Sequence, residues 1–268
     1  MQKIIKEMND GIVQITIADE RWYVKNVVNK KDKTVETHFV PSVTWITSYY
    51  PKGIAYFKWL ANHGWDEAET IKQEAGDKGS KVHYAIEDLL KGQTVKMDDK
   101  YINSTTELPE ELTLDEWNCI MSFANWYNEV KPEVISTEIT VFNDEFGYAG
   151  TVDLVCNIDG KPYIIDFKTS QYIWPSHELQ VSAYKHSQSN LKDCNLAILQ
   201  VGYQRNKKGF KFIDIDDKFD LFLSARSIWK NECENIEPKK RDYPIEIKLI
   251  DNKTQDTKIK KGDENGNN

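Results

Sequence analysis

The sequence predicts an α/β protein, a mixed central sheet flanked by helices, with a small antiparallel β accessory at its N-terminal side. Three observations carry this expectation. Residues 134–142, 148–157 and 162–169 are short β-rich runs separated by turn-forming segments, and they read as an antiparallel meander. Segments of helical period lie before and after them, at 65–90, 113–131, 176–188 and 217–234. The first forty residues alternate apolar and polar positions instead.

Taken in order, residues 11–17 and 21–28 alternate as strands, and a polar turn at 29–33 leads to a third run, 34–40. Pro41-Ser42-Val43-Thr44 opens a helical region in which Ser42 is a plausible N-cap, interrupted by Pro51-Lys52-Gly53 before residues 54–63. In the 65–90 segment, Gly76 and Gly79 are expected to divide the helix. Residues 93–109 are polar and read as a loop, and 113–131 resume a helix whose aromatic face is core. After the meander come the 176–188 helix, strands at 196–203 and 210–215, and the 217–234 helix. The accessory is placed at 1–45 and the main domain at 46–250, and the polar tail 251–268 is expected to be disordered.

With 268 residues, 40% of them hydrophobic and 29% charged, the chain can fill one sizeable core. No stretch approaches the roughly 18 consecutive apolar residues of a membrane helix, and the first residues lack a signal peptide's apolar segment. A cytoplasmic protein is expected. Cys119, Cys156, Cys194 and Cys233 form no metal-binding spacing and read as reduced, buried thiols. A net charge of -8 disfavours diffuse nucleic-acid binding, so any such site must be local.

Chemistry concentrates in the meander. A two-residue loop at Asp159-Gly160 sets a register that brings Asp153 opposite Asp166 on the neighbouring strand. Two carboxylates that close repel unless a cation sits between them or one is protonated. Lys168, two residues beyond Asp166, returns to the same face. Hard oxygen ligands suit Mg2+ or Mn2+, and a nearby ammonium can orient or deprotonate a water, the arrangement that phosphodiester hydrolysis requires. The backbone carbonyl of Phe167 is a further candidate ligand. An even loop between Asn143 and Tyr148 would put Glu138 opposite Asp153, whereas a bulge at Gly147 would shift that pairing by one.

Gly150-Thr151-Val152-Asp153, then Ile165-Asp166-Phe167-Lys168-Thr169-Ser170, then Gln180 and Tyr184 resemble the GxxD, (D/E)xK and QxxxY motifs of the PD-(D/E)xK nuclease superfamily, in its RecB-like exonuclease branch. The family's histidine on a preceding helix is matched by Lys78-Gly79-Ser80-Lys81-Val82-His83, and Pro41-Ser42-Val43-Thr44 with Tyr50-Pro51-Lys52 is similar to phage-type and mitochondrial genome maintenance exonucleases. The resemblance covers roughly residues 40 to 205. Four motifs in order are specific where a lone DxK would not be.

The resemblance implies a restriction-endonuclease-like core and a Mg2+- or Mn2+-dependent deoxyribonuclease, an exonuclease of phage-type DNA replication, recombination or processing. His83, Asp153, Asp166 and the Phe167 carbonyl would be metal ligands, Lys168 would position water or stabilise the transition state, and Gln180 with Tyr184 would order the surroundings. The implied partner is DNA, single-stranded or with free ends, with no membrane, in a bacterial or phage-infected cell; no protein partner is implied. A structure-specific endonuclease, or a non-cleaving DNA-binding or scaffold member of the fold, is the alternative. Iron-sulfur members of this branch carry an N-terminal cysteine and a C-terminal cysteine cluster that this sequence lacks, so no such cluster is expected. No GxxxxGK[ST] phosphate loop occurs, so no motor is expected either.

Several residues read either way. Gln180 and Tyr184 share a helical face and could reach a phosphate, the Lys168 region, or only the sheet. Glu87 could orient His83 or be solvated; Trp174 could stack on an unpaired base or be core. The basic stretches 205–208 and 239–241 could touch phosphates or simply be solvated. His38, His63, His177 and His186 read as structural.

Overall fold

The computed structural model describes residues 3–8, 11–17, 20–28, 35–233 and 236. The turn expected at 29–33, the basic cluster at 239–241 and the tail from 251 lie outside these. Strands β1 (Lys3–Glu7), β2 (Val13–Ile17), β3 (Glu20–Val28) and β4 (Val35–Pro41) form an antiparallel sheet in that order. Sequence reading found three of the four. β1 is a five-residue strand with charges at both ends, and its pairing with β2, not its own pattern, defines it.

Helix α1 (Val43–Ser48) begins at Ser42, whose hydroxyl accepts the Trp45 N–H at 3.1 Å. α2 (Ile54–His63) and α3 (Trp65–Leu90) follow. The expected division of α3 does not occur. Its buried stripe of Ala68, Lys81, Val82, Ala85 and Ile86 spans both glycines, so packing outweighs their helix penalty of about 1 kcal/mol each. Residues 93–109, expected as loop, contain half of a small hairpin, β5 (Lys100–Ile102) and β6 (Pro109–Glu111). Polar turn chemistry holds it: Asn103 Oδ1 accepts the N–H groups of Thr105 and Thr106 at 2.8 and 3.0 Å.

α4 (Leu114–Val130) opens with a reciprocal cap between Thr113 and Glu116. The central sheet comprises β7 (Glu133–Asn143), β8 (Tyr148–Ile158), β9 (Lys161–Lys168), β10 (Asn195–Val201) and β11 (Phe210–Ile215), in the order β11-β10-β9-β8-β7. β9 and β10 are parallel, joined across α5 (Pro175–Lys185), and the other neighbours are antiparallel, so the sheet is mixed as expected. α6 (Phe219–Cys233) closes the described chain.

Each face of the sheet carries its own core. Val82, Ile86, Phe123 and Trp126 of α3 and α4 pack with Leu154, Ile165 and Leu199. On the other face α1, α5 and α6 pack with Val141, Ile164 and Ile198, joined there by Trp22 and Val24 of β3. Trp22, Trp45 and Trp229 meet edge to face at 5.0 to 6.0 Å, tying the N-terminal sheet to α1 and α6. Tyr23 reaches Thr151 of β8 through its hydroxyl at 3.1 Å.

Candidate active site

The β8–β9 register begins at a two-residue turn in which Asp159 and Gly160 both have positive φ, 50° and 74°, as a tight hairpin of matching twist requires. Pairing runs from Ile158↔Lys161 to Leu154↔Ile165 and stops. The next position brings Asp153 beside Asp166. There the side chain replaces the ladder: Asp153 Oδ2 accepts the backbone N–H of Phe167 at 2.7 Å.

β7 changes at the same level. Ile139↔Val152 and Thr137↔Leu154 are paired, but Glu138 between them is not, and its φ is +49°. A non-glycine residue in this region costs about 1 to 3 kcal/mol and persists only where the surroundings enforce it. The bulge foreseen at Gly147 lies instead between Val134 and Ser136. Alternation on β8 reverses here too, since Val152 packs in one core and Leu154 in the other.

α3 delivers His83 to this point. The helix is held by Lys81, whose ammonium lies 3.0 Å from Glu116 of α4 in a buried ion pair. His83 Nδ1 is 3.4 Å from Asp153 Oδ1, and Nε2 is 3.1 Å from the Phe167 carbonyl oxygen. One ligand atom each of His83, Glu138 and Asp153 lies within 4.8 Å of the others, close enough to share a metal ion. Glu87 pairs with Lys91 at 2.5 Å, while the two nitrogens of His83 meet Asp153 and Phe167.

Asp166 is 1% exposed. Its Oδ1 accepts Gln180 Nε2–H at 2.8 Å, and Lys168 Nζ stands 2.5 Å from Oδ2. Lys168 also donates to Gln180 Oε1 at 3.3 Å, and Gln180 donates to the Tyr184 hydroxyl at 2.8 Å. Gln180 therefore joins both members of the DxK strand to Tyr184. Tyr184 explains Gly150: a Cβ there would stand 2.5 Å from the tyrosine ring.

The charges are strongly coupled. Burial disfavours charge on His83, yet Asp153 beside it raises its pKa to about 9, so the imidazolium donates from both nitrogens. Burial also opposes charge on Asp153, but His83, then Lys168, hold its carboxyl below the usual range. Glu138 is pushed up to about 8 by burial and then by Asp153. Burial raises Asp166 to about 6, with Lys168 opposing the shift and Asp153 adding to it. Without a further cation, two of the three carboxylates thus carry protons more readily than a free carboxylate. Tyr184 is held well above its ordinary value by burial and by Asp166.

These groups lie in a cleft of ≈ 1130 Å³. Its walls include Gly76 and Gly79 of α3 and, unforeseen from sequence, Lys6, Arg21 and Tyr23 of the N-terminal sheet. With Lys52 and Lys78, Lys6 and Arg21 set four cationic side chains around the carboxylates of the cleft. His177, read from sequence as structural, also faces the cleft. It precedes Gln180 by three residues, a helical spacing that could have flagged it. His63 bonds the Trp59 carbonyl oxygen and His186 bonds Asp217.

No helix among the described residues is long and apolar enough to cross a membrane. The four cysteines are free and buried, with burial pushing Cys119 to about 11 and Cys156 to about 12. The chain matches no model of a known protein family and no curated protein.

Proposed function

We propose that this chain is a divalent-metal-dependent deoxyribonuclease with a PD-(D/E)xK core, cutting phosphodiester bonds in the cleft between α3, the open end of β7–β9 and the N-terminal sheet. The observation that carries this reading is the convergence of Asp153, Asp166 and Lys168 with His83 and Glu138 at one point of that cleft.

The donor set fits Mg2+ or Mn2+. Carboxylates and an imidazole converge, His83, Glu138 and Asp153 each offering one ligand atom within 4.8 Å of the others. His83, having given up a proton, with Glu138, Asp153, Asp166 and the Phe167 carbonyl, would hold the cation. When bound, it supplies positive charge to the phosphoryl oxygens and makes water more acidic.

Hydrolysis joins a water oxygen to phosphorus while one P–O ester bond breaks and the leaving oxygen takes up a proton. Lys168 is placed to hydrogen-bond a phosphoryl oxygen or the entering water, its ammonium aimed by Asp166 and Gln180. Gln180 is a positioning residue. Tyr184 acts one contact further out, fixing Gln180 and filling the space that Gly150 leaves. Lys6, Arg21, Lys52 and Lys78 suit the neighbouring phosphates of a strand.

The test is digestion of end-labelled linear single-stranded and duplex DNA, beside closed circles, with Mg2+, Mn2+ or EDTA, comparing the wild type with Asp166→Ala. Metal-dependent loss of linear DNA alone, absent in the variant, is the expected result and marks an exonuclease. Cutting of circles would make it an endonuclease. DNA binding with no cleavage of any substrate would overturn the nuclease reading in favour of a binding protein.

A further inference from the structure

Beyond Lys168 the chain runs through residues 169–174 to α5, and polar side chains fasten this loop to the neighbouring β10–β11 hairpin. Gln171 donates to the Gly202 carbonyl at 2.8 Å and accepts the Gln204 N–H at 3.0 Å. Gln200 donates to the Ser170 carbonyl at 2.9 Å. The backbone is thus fixed by hydrogen bonds, and the aromatic side chains on it are left outside: Tyr172 is 59% and Trp174 47% exposed.

Their rings lie 6.3 Å apart at 44°. The Arg205 guanidinium stands 5.4 Å from the Tyr172 ring centre and donates to its hydroxyl at 3.2 Å. Among the described residues Arg205 pairs with no carboxylate. Trp174 and Gln204 line the same cleft as Lys168. Two exposed rings, a guanidinium that pairs with no carboxylate among the described residues and a hydrogen-bonded support therefore meet at the lip of the cleft, a few residues from the DxK strand.

We propose that Trp174, with Tyr172 and Arg205, forms a stacking subsite for an unpaired nucleobase of the strand whose phosphate enters the cleft. A base inside a duplex has both faces covered and a terminal pair bares only one, held flat by its partner, whereas an unpaired base is free to turn a face onto Trp174. Trp174, which lines the cleft, supplies the platform, and Arg205 beside Tyr172 supplies a cation for an adjoining phosphate. The inference rests on the nuclease reading for the identity of the strand and assigns that site a preference for unpaired ends.

Fluorescence anisotropy tests it in EDTA, where cleavage is off, with a labelled single-stranded oligonucleotide and a blunt duplex. Trp174→Ala should weaken single-strand binding about 5- to 160-fold, the range expected for a base–aromatic stack, and duplex binding less than about 2-fold. Trp174→Phe should recover most of the affinity, which excludes misfolding as the cause. Equal losses on both ligands, or wild-type affinity in Trp174→Ala, would overturn the subsite while leaving the Asp166 cleavage test intact. The converse is equally separable. Trp174-dependent strand binding in a protein that cuts nothing would keep the subsite and remove the nuclease, and no binding of either ligand by the wild type would remove both.

Discussion

At its closed end the β8–β9 hairpin turns on Asp159 and Gly160, both in the left-handed region, and every residue from Ile158 to Leu154 is paired with its partner. At its open end the ladder has stopped, Asp153 takes the Phe167 N–H through its side chain, and the buried Asp166 holds the partly exposed Lys168. The closed end obeys local rules, because turn chemistry and strand period suffice to build it. The open end violates them. It gathers carboxylates in low dielectric and forces Glu138 into a left-handed backbone, and it stands only because α3 and α5 supply His83 and Gln180 from either side. Stability is made at one end and spent at the other, which is the pattern of a functional site.

The largest effect that separates the two ends is catalytic. Lys168→Ala should lower cleavage by about 10²- to 10⁴-fold, the range for removing one positioned acid–base or charge-stabilising group, with strand binding retained. Lys161→Ala, on the same strand at the closed end, should leave the rate unchanged. Single-turnover rates on saturating DNA measure both, and an unchanged rate in Lys168→Ala would end the assignment.

Next comes ion binding. Mn2+ at a hundred times its dissociation constant stabilises a single-site protein by about 2.7 kcal/mol, so a rise in melting temperature of several degrees is expected for the wild type. Asp153→Asn should lose that rise, while Asp159→Asn at the turn keeps it. Equal responses in both variants would show that the ion binds elsewhere.

How legible each region was follows the same division. The turn at Asp159-Gly160 and the period of β8 and β9 are enough to bring Asp153 beside Asp166 from sequence alone, since register propagates from a two-residue loop. Glu138 was only half legible. Its level on β7 could be counted from the Asn143–Tyr148 loop, but its positive φ, and the change of packing face beside it, are imposed by tertiary contacts. The unbroken α3 was hidden for a related reason, because glycine propensity is local and the stripe that overrides it is not. Nothing in the alternation of residues 11–40 could say that Arg21 lines the cleft, Lys6 lies ahead of that alternation, and a lone His177 carries no signal of the Lys168 charge it meets.

Glycines sharpen the comparison with smaller effects. Gly150→Ala places a methyl 2.5 Å from the Tyr184 ring, an overpacking expected to cost about 1 to 3 kcal/mol and, by displacing Gln180, to slow cleavage as well. Gly160→Ala meets nothing within 4 Å and strains only its own φ of +74°, at about 1 kcal/mol with no change in rate. Urea midpoints and cleavage rates distinguish a space requirement from a backbone requirement. A rate defect in Gly160→Ala would erase the distinction.

The smallest effect concerns protons at the rim of the open end. Burial, then Lys168 and Lys52, push the His177 pKa down to about 3, and its Nδ1 accepts the Trp174 N–H at 3.4 Å, as a ring protonated only at Nε2 can. Unfolded, a histidine takes its proton near pH 6.5. Between that pH and 3 the unfolded chain therefore binds the extra proton, and the stability His177 contributes above pH 6.5 is lost as the pH falls. The ceiling is about 1.4 kcal/mol per pH unit, and partial solvation lowers it to roughly half that. His83, raised to about 9, is present in both the wild type and His177→Gln, so its contribution cancels in their difference. Subtracting the urea-derived stability of His177→Gln from that of the wild type, in EDTA between pH 6.5 and 5, isolates the term from the carboxylates common to both. A difference that shrinks toward low pH is the expected sign. Parallel profiles would mean that His177 titrates like a free imidazole and becomes a second cation beside Lys168 in weak acid, so the cleft would bind phosphates more tightly as the pH falls.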